Sequence, residues 1–129
     1  MIYVDTSVAL AHLLSEDRRP PITLWAERLV SSRLIQYEAW RRIHARNLAH
    51  SHGESLRLLL GHLALLELAP PVLARALEPF PMRVRTLDAL HLASIEFLRA
   101  QDQNVTLAAY DHRMLEVATR MNIRILELP

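Results

Sequence analysis

A chain of 129 residues with 51% hydrophobic and 22% charged side chains is one globular domain, residues 1–129, long enough to bury a core. Its net charge of +1 excludes a body that binds nucleic acid by bulk charge alone. Its lack of cysteine excludes disulfides and thiolate metal sites, in keeping with a reducing cytoplasm.

The first predicted element is a strand over 2–5, "IYVD", followed at once by a helix over 6–14. No basic segment precedes the strand, so no signal peptide is expected. After the polar turn "SEDRRPP" come a short helix near 22–27 and a strand near 28–31. A long helix follows over 33–49 and another over 53–64. Between them "HSHG" (50–53) reads as a helix end, because histidines at i and i+2 lack the spacing of a ligand pair. "LELA" (65–68) is a short strand, and Pro70 and Pro71 open a short helix, since proline fits a first helical turn. Beyond the loop "EPFPMR" lie a helix over 86–100 capped by Thr86, a strand over 104–109, a helix over 111–121 and a closing strand over 123–128. The most apolar run, "LRLLLGHLALLELA", is broken by Arg57, His62 and Glu67 and falls short of the ~18 residues of a membrane span. Short apolar strands alternating with amphipathic helices specify an α/β domain with a mainly parallel sheet flanked by helices. Such sheets bind ligands beyond the carboxyl ends of their strands.

Four acids fall near that edge. Asp5 ends the first strand, where an unpartnered carboxylate costs on the order of several kcal/mol. Asp111 follows the strand over 104–109; taken alone it is a helix N-cap. Asp88 lies in the first turn of the helix over 86–100, where taken alone it answers the helix dipole with ~0.3–1 kcal/mol. Glu38 projects between Leu34, Ile35, Ala45 and Ala49, on the arc facing the protein; taken alone it pairs with Arg42 at i+4, worth ~0.2–0.5 kcal/mol. A single shared site accounts for all four together.

"IYVDTS", Glu38 in "YEAWRR", "LDALHLA" with Asp88 and "LAAYDHRML" with Asp111 resemble the signature of the PIN domain, from end to end of the chain. The length is similar to that of VapC-type ribonuclease toxins of bacterial toxin–antitoxin pairs. The resemblance implies a parallel sheet in the order 3-2-1-4-5 and a VapB-like antitoxin partner. It also implies that Asp5, Glu38, Asp88 and Asp111 hold Mg²⁺ or Mn²⁺ for RNA cleavage. The chain departs from the family at Ala109, where Ser or Thr often stands two residues before the last acid, so Asp111 lacks that hydroxyl support.

Carboxylates without histidine or cysteine ligands form a hard oxygen site, suited to Mg²⁺ or Mn²⁺ rather than Zn²⁺. Such a cation meets the charge of Asp5, lowers the pKa of a bound water and polarises a phosphoryl oxygen; two ions ~3.5–4 Å apart would support an in-line displacement. Thr6 and Ser7 either orient a carboxylate or cap the first helix. Arg42, Arg46, Arg85 and Arg113 are candidate RNA phosphate contacts, and His91, one turn after Asp88, either touches the site or is a core histidine. Crowding should raise the pKa values of Asp5, Glu38 and Asp88 in the absence of metal. The helix over 6–14 and "SLRLLLGHLALL" offer apolar surface for the antitoxin or for a homodimer, and no membrane partner is expected. Other acid-lined sheets fit less well. All 15 basic residues are arginines, so the lysine of a response-regulator receiver is missing. Asp5-Thr6-Ser7 also lacks the Asp-x-Asp of a haloacid-dehalogenase-type phosphatase, and two glycines cannot build a glycine-rich phosphate loop. A PIN-like nuclease of RNA processing or DNA repair shares all of the chemistry, and a non-catalytic metal- or protein-binding module would follow if one acid lay elsewhere.

Overall fold

A computed structural model describes all 129 residues. Strands β1 (Ile2–Val4), β2 (Leu29–Ser32), β3 (Leu63–Leu66), β4 (Thr106–Ala108) and β5 (Arg124–Ile125) form one sheet in the order β3-β2-β1-β4-β5. Every pairing is parallel, so the order implied by the resemblance holds. The connections carry helices α1 (Thr6–Leu13), α2 (Leu34–Ala45), α3 (Ala49–Leu60), α4 (Pro70–Ala76), α5 (Thr86–Ala100) and α6 (His112–Arg120), with a 3₁₀ turn at Ile22–Ala26 before β2. No helix is long and apolar enough to cross a membrane.

A parallel sheet needs cover on both faces, and β1 shows how the chain provides it. Neighbouring side chains of a strand point to opposite faces. Val4 therefore enters one core with Val8, Ile35, Ile43 and Leu56 of α1, α2 and α3. Tyr3 enters the other with Leu92, Ile95, Met114 and Val117 of α5 and α6. The strand order reverses between β1 and β4, and a cleft opens there beyond the strand ends. Two bonds lock its floor. The Asp5 N–H donates to the Ala108 carbonyl at 2.9 Å, and the Tyr110 N–H donates to Ser7 Oγ at 3.0 Å.

The element types agree with the sequence pattern, and several boundaries move for local reasons. The helix predicted over 33–49 stops at Ala45, because Asn47 adopts a left-handed backbone (φ 55°) that asparagine tolerates. The next helix then starts at Ala49, so "HSHG" forms its first turns rather than a helix end, and Gly53 lies inside α3 against the Trp40 ring. With α3 ending at Leu60, β3 begins at Leu63 instead of 65; leucine-rich runs carry no mark separating helix from buried strand. Thr86 is the first residue of α5 and not its cap, the N-cap position falling on Arg85. The strands predicted over 104–109 and 123–128 shorten to 106–108 and 124–125, since β1 offers β4 only three ladder partners and β4 offers β5 two. Much of the leucine-rich run is consumed by the core: Leu56, Leu59, Leu60 and Leu63 are buried and Leu58 is exposed.

Candidate active site

Asp5, Glu38, Asp88 and Asp111 line one cleft of about 700 Å³ at the carboxyl ends of β1 and β4. Asp5 leaves β1 and becomes the N-cap of α1, its Oδ2 accepting the Ser7 N–H at 3.2 Å and the Ser7 hydroxyl at 2.5 Å. Asp111 is both helix cap and site residue, because its two oxygens divide the work. Oδ1 accepts the Met114 N–H at 3.1 Å, and Oδ2 accepts Arg85 Nη2. Asp88, in the first turn of α5, accepts Arg85 Nε at 3.0 Å. One guanidinium therefore bridges two of the four acids.

Glu38 is held differently. Its Oε1 accepts the Thr6 hydroxyl at 2.7 Å and His91 Nε2 at 2.6 Å, and it makes no ion pair with Arg42. Thr6 thus serves Glu38 and Ser7 serves Asp5. His91 does not face a substrate as the sequence spacing allowed: it is 1% exposed, behind Glu38, on the side of α5 that buries Leu92 and Ile95.

Of the four candidate arginines, Arg42 and Arg85 line the cleft. Arg46 and Arg113 do not; both are exposed outside it. Arg46 lies eight residues beyond Glu38, roughly 12 Å along a helix axis at ~1.5 Å per residue. Among the lining residues that escaped the sequence pattern are Tyr37 and Arg41. Arg41 stands at i+3 from Glu38 and so shares its side of α2, a spacing that was there to be used. Tyr37 is 61% exposed at the rim, an unusual place for a large aromatic.

The PIN domain pattern matches residues 2–120, from β1 to the end of α6. The chain belongs to the PIN-domain family. It is similar to ribonuclease VapC47 of Mycobacterium tuberculosis (strain CDC 1551 / Oshkosh), with 33% identity over 122 residues that cover 89% of this chain and 88% of that protein. In fold it resembles the crystal structure of Mycobacterium tuberculosis VapC20, a toxin that cleaves the sarcin–ricin loop. The TM-score is 0.65 at 17% identity, over 90% of this chain and 94% of that one.

The acids of this PIN domain do not share one electrostatic state. Burial raises the Asp88 carboxyl above its ordinary value against the pull of Arg85, and the charges of Asp111 and Asp5 add to the rise. The direction is the expected one, but burial and not crowding is its main cause. Glu38 goes the other way, which corrects the expectation for it. Burial pushes its carboxyl up, but the hydrogen bond and charge of His91 and the Thr6 hydroxyl outweigh burial and hold it below the usual range. Asp111 is also lowered, burial being outweighed by the Met114 N–H and by Arg85.

The donor set suits a hard divalent cation: every candidate ligand is a carboxylate oxygen, and a positive group already sits between Asp88 and Asp111. No three of the acids close on a common point at ligand distance.

Proposed function

We propose that this PIN-domain protein is a Mg²⁺- or Mn²⁺-dependent endoribonuclease, the toxin of a toxin–antitoxin pair. The ribonuclease and toxin reading is supported by family membership and by the likeness to VapC47 over most of both chains. The observation that carries the mechanism is the gathering of four carboxylates on one cleft, with Arg85 acting as a cation between two of them.

Asp5, Glu38, Asp88 and Asp111 would hold the ion. When bound, it supplies Lewis acidity to the scissile phosphate and to the attacking water. Ser7 orients Asp5, and Thr6 orients Glu38. Those hydroxyls are spent on carboxylates, His91 is buried and cysteine is absent. On this reading a metal-activated water is the nucleophile, and the products carry a 5′-phosphate and a 3′-hydroxyl. Arg41 and Arg42 face the cleft as phosphate contacts, and Tyr37 at the rim offers a ring on which an unpaired base stacks.

Single-stranded RNA treated with the chelated protein should stay intact, and Mg²⁺ or Mn²⁺ should restore cutting. Cleavage that survives exhaustive EDTA, or a 2′,3′-cyclic phosphate product, refutes this mechanism. The toxin role predicts growth arrest on expression, relieved by a small protein encoded in the adjacent reading frame that binds and silences the nuclease.

A further inference from the structure

Behind Glu38 lies a buried pair whose part in the site is not set by ligation or substrate contact. Both ring nitrogens of His91 are engaged: Nδ1 lies 2.7 Å from the Tyr3 hydroxyl and Nε2 lies 2.6 Å from Glu38 Oε1. Tyr3 is fully buried on β1, and the two rings meet edge to face with centroids 5.7 Å apart. An ionised carboxylate only accepts hydrogen bonds, so Nε2 carries a hydrogen at this contact. The Thr6 hydroxyl donates to the same oxygen at 2.7 Å. Two donors fill Oε1, while Oε2 accepts no hydrogen bond from the protein.

We infer that Tyr3 and His91 are positioning residues: Tyr3 pins the imidazole, the imidazole with Thr6 saturates Glu38 Oε1, and a single oxygen, Oε2, is left for a divalent cation. The inference rests on the metal-dependent reading above. It joins β1, α5 and α2 through residues 88 and 53 positions apart in sequence, so the glutamate is held by the fold and not by its own helix. Removing hydrogen-bond partners of this kind lowers metal affinity by about 10–100-fold.

The test measures Mn²⁺ binding to the full chain by calorimetry, for wild type and for Tyr3→Phe, His91→Gln and His91→Leu, with melts in EDTA to confirm folding. His91→Leu should bind Mn²⁺ about 10–100-fold more weakly. His91→Gln, whose amide can still donate to Glu38, should recover much of that loss. Tyr3→Phe, which keeps the ring and removes only the hydroxyl, should weaken binding several-fold, with kcat falling and the KM for RNA unchanged. A packing role predicts that Leu is tolerated at least as well as Gln, and that ranking would overturn the inference. So would wild-type Mn²⁺ affinity in both Tyr3→Phe and His91→Gln, which carry the test if the Leu variant does not fold. An ¹⁵N spectrum of the metal-free protein in which His91 Nε2 bears no hydrogen would overturn it too. A wild-type protein that still cuts RNA after exhaustive EDTA treatment refutes the metal-dependent reading itself, and this inference with it.

Discussion

Truncating Arg85 tests whether its guanidinium stands where a metal cation belongs. The side chain donates to Asp88 from Nε at 3.0 Å and to Asp111 from Nη2, and it is 58% exposed. Solvent screens pairs at that exposure, so each is worth ~0.2–1 kcal/mol. Arg85→Ala should therefore lower metal-free stability by about 1 kcal/mol near neutral pH and leave the two carboxylates without a counter-charge. On the metal-dependent reading, a cation entering the wild type displaces the guanidinium; in the variant it need not. Mn²⁺ affinity should rise roughly fivefold, the factor that ~1 kcal/mol represents. Ligand stabilisation follows RT ln(1 + [L]/Kd), reaching ~2.7 kcal/mol at a hundredfold excess over Kd, so the tighter site should show a larger Mn²⁺-induced rise in Tm. Thermal melts in EDTA and across a Mn²⁺ titration, with calorimetry of binding, supply both numbers. An Arg85→Ala protein that binds Mn²⁺ more weakly than wild type would show that the arginine builds the site and does not occupy it.

Three further outcomes follow from the same structure. The Asp88 carboxyl is raised, so its ionised form destabilises the metal-free fold fully above the folded pKa and not at all below the unfolded one. Asp88→Asn should melt above wild type in EDTA at neutral pH, converge with it in acid and lose cleavage; a lower melt at pH 7 contradicts the shared site. Glu38 carries the opposite sign: its lowered pKa means stability present above the unfolded value and lost as pH falls through the folded one. Glu38→Gln should therefore be about 1–3 kcal/mol less stable at neutral pH, the worth of hydrogen bonds to a charged group. Denaturant curves at neutral and strongly acid pH should show that gap closing. Gly53→Ala, inside α3 with space for a methyl 3.4 Å from the Trp40 ring, should gain about 0.5–1 kcal/mol, read as a higher Tm with unchanged RNA cleavage.

Much of the cleft is written in local pattern. A short apolar run that ends on an acid and passes straight into a helix puts that acid at the carboxyl edge of a parallel sheet, which is why Asp5 and Asp111 were legible. Glu38 and Asp88 carry weaker marks, since an acid on a helix has ordinary uses, and they became legible only with the motifs around them. Helix ends were less visible. The break after α2 depends on one residue, Asn47, taking a left-handed conformation that its side chain allows but does not demand.

What no local pattern contains is which partner meets each charge. Tyr3 and His91 read as a strand aromatic and a helix histidine; only the packing of α5 on the Tyr3 face of β1 turns them into a support for Glu38. Arg85 reads as a phosphate contact until the end of β4 brings Asp111 within its reach. The opposite shifts of Asp88 and Glu38 have the same origin. Side-chain periodicity is a property of neighbours along the chain and survives in the sequence. Hydrogen bonds and desolvation act over a few ångströms of space, and those distances exist only once the helices have closed on the sheet.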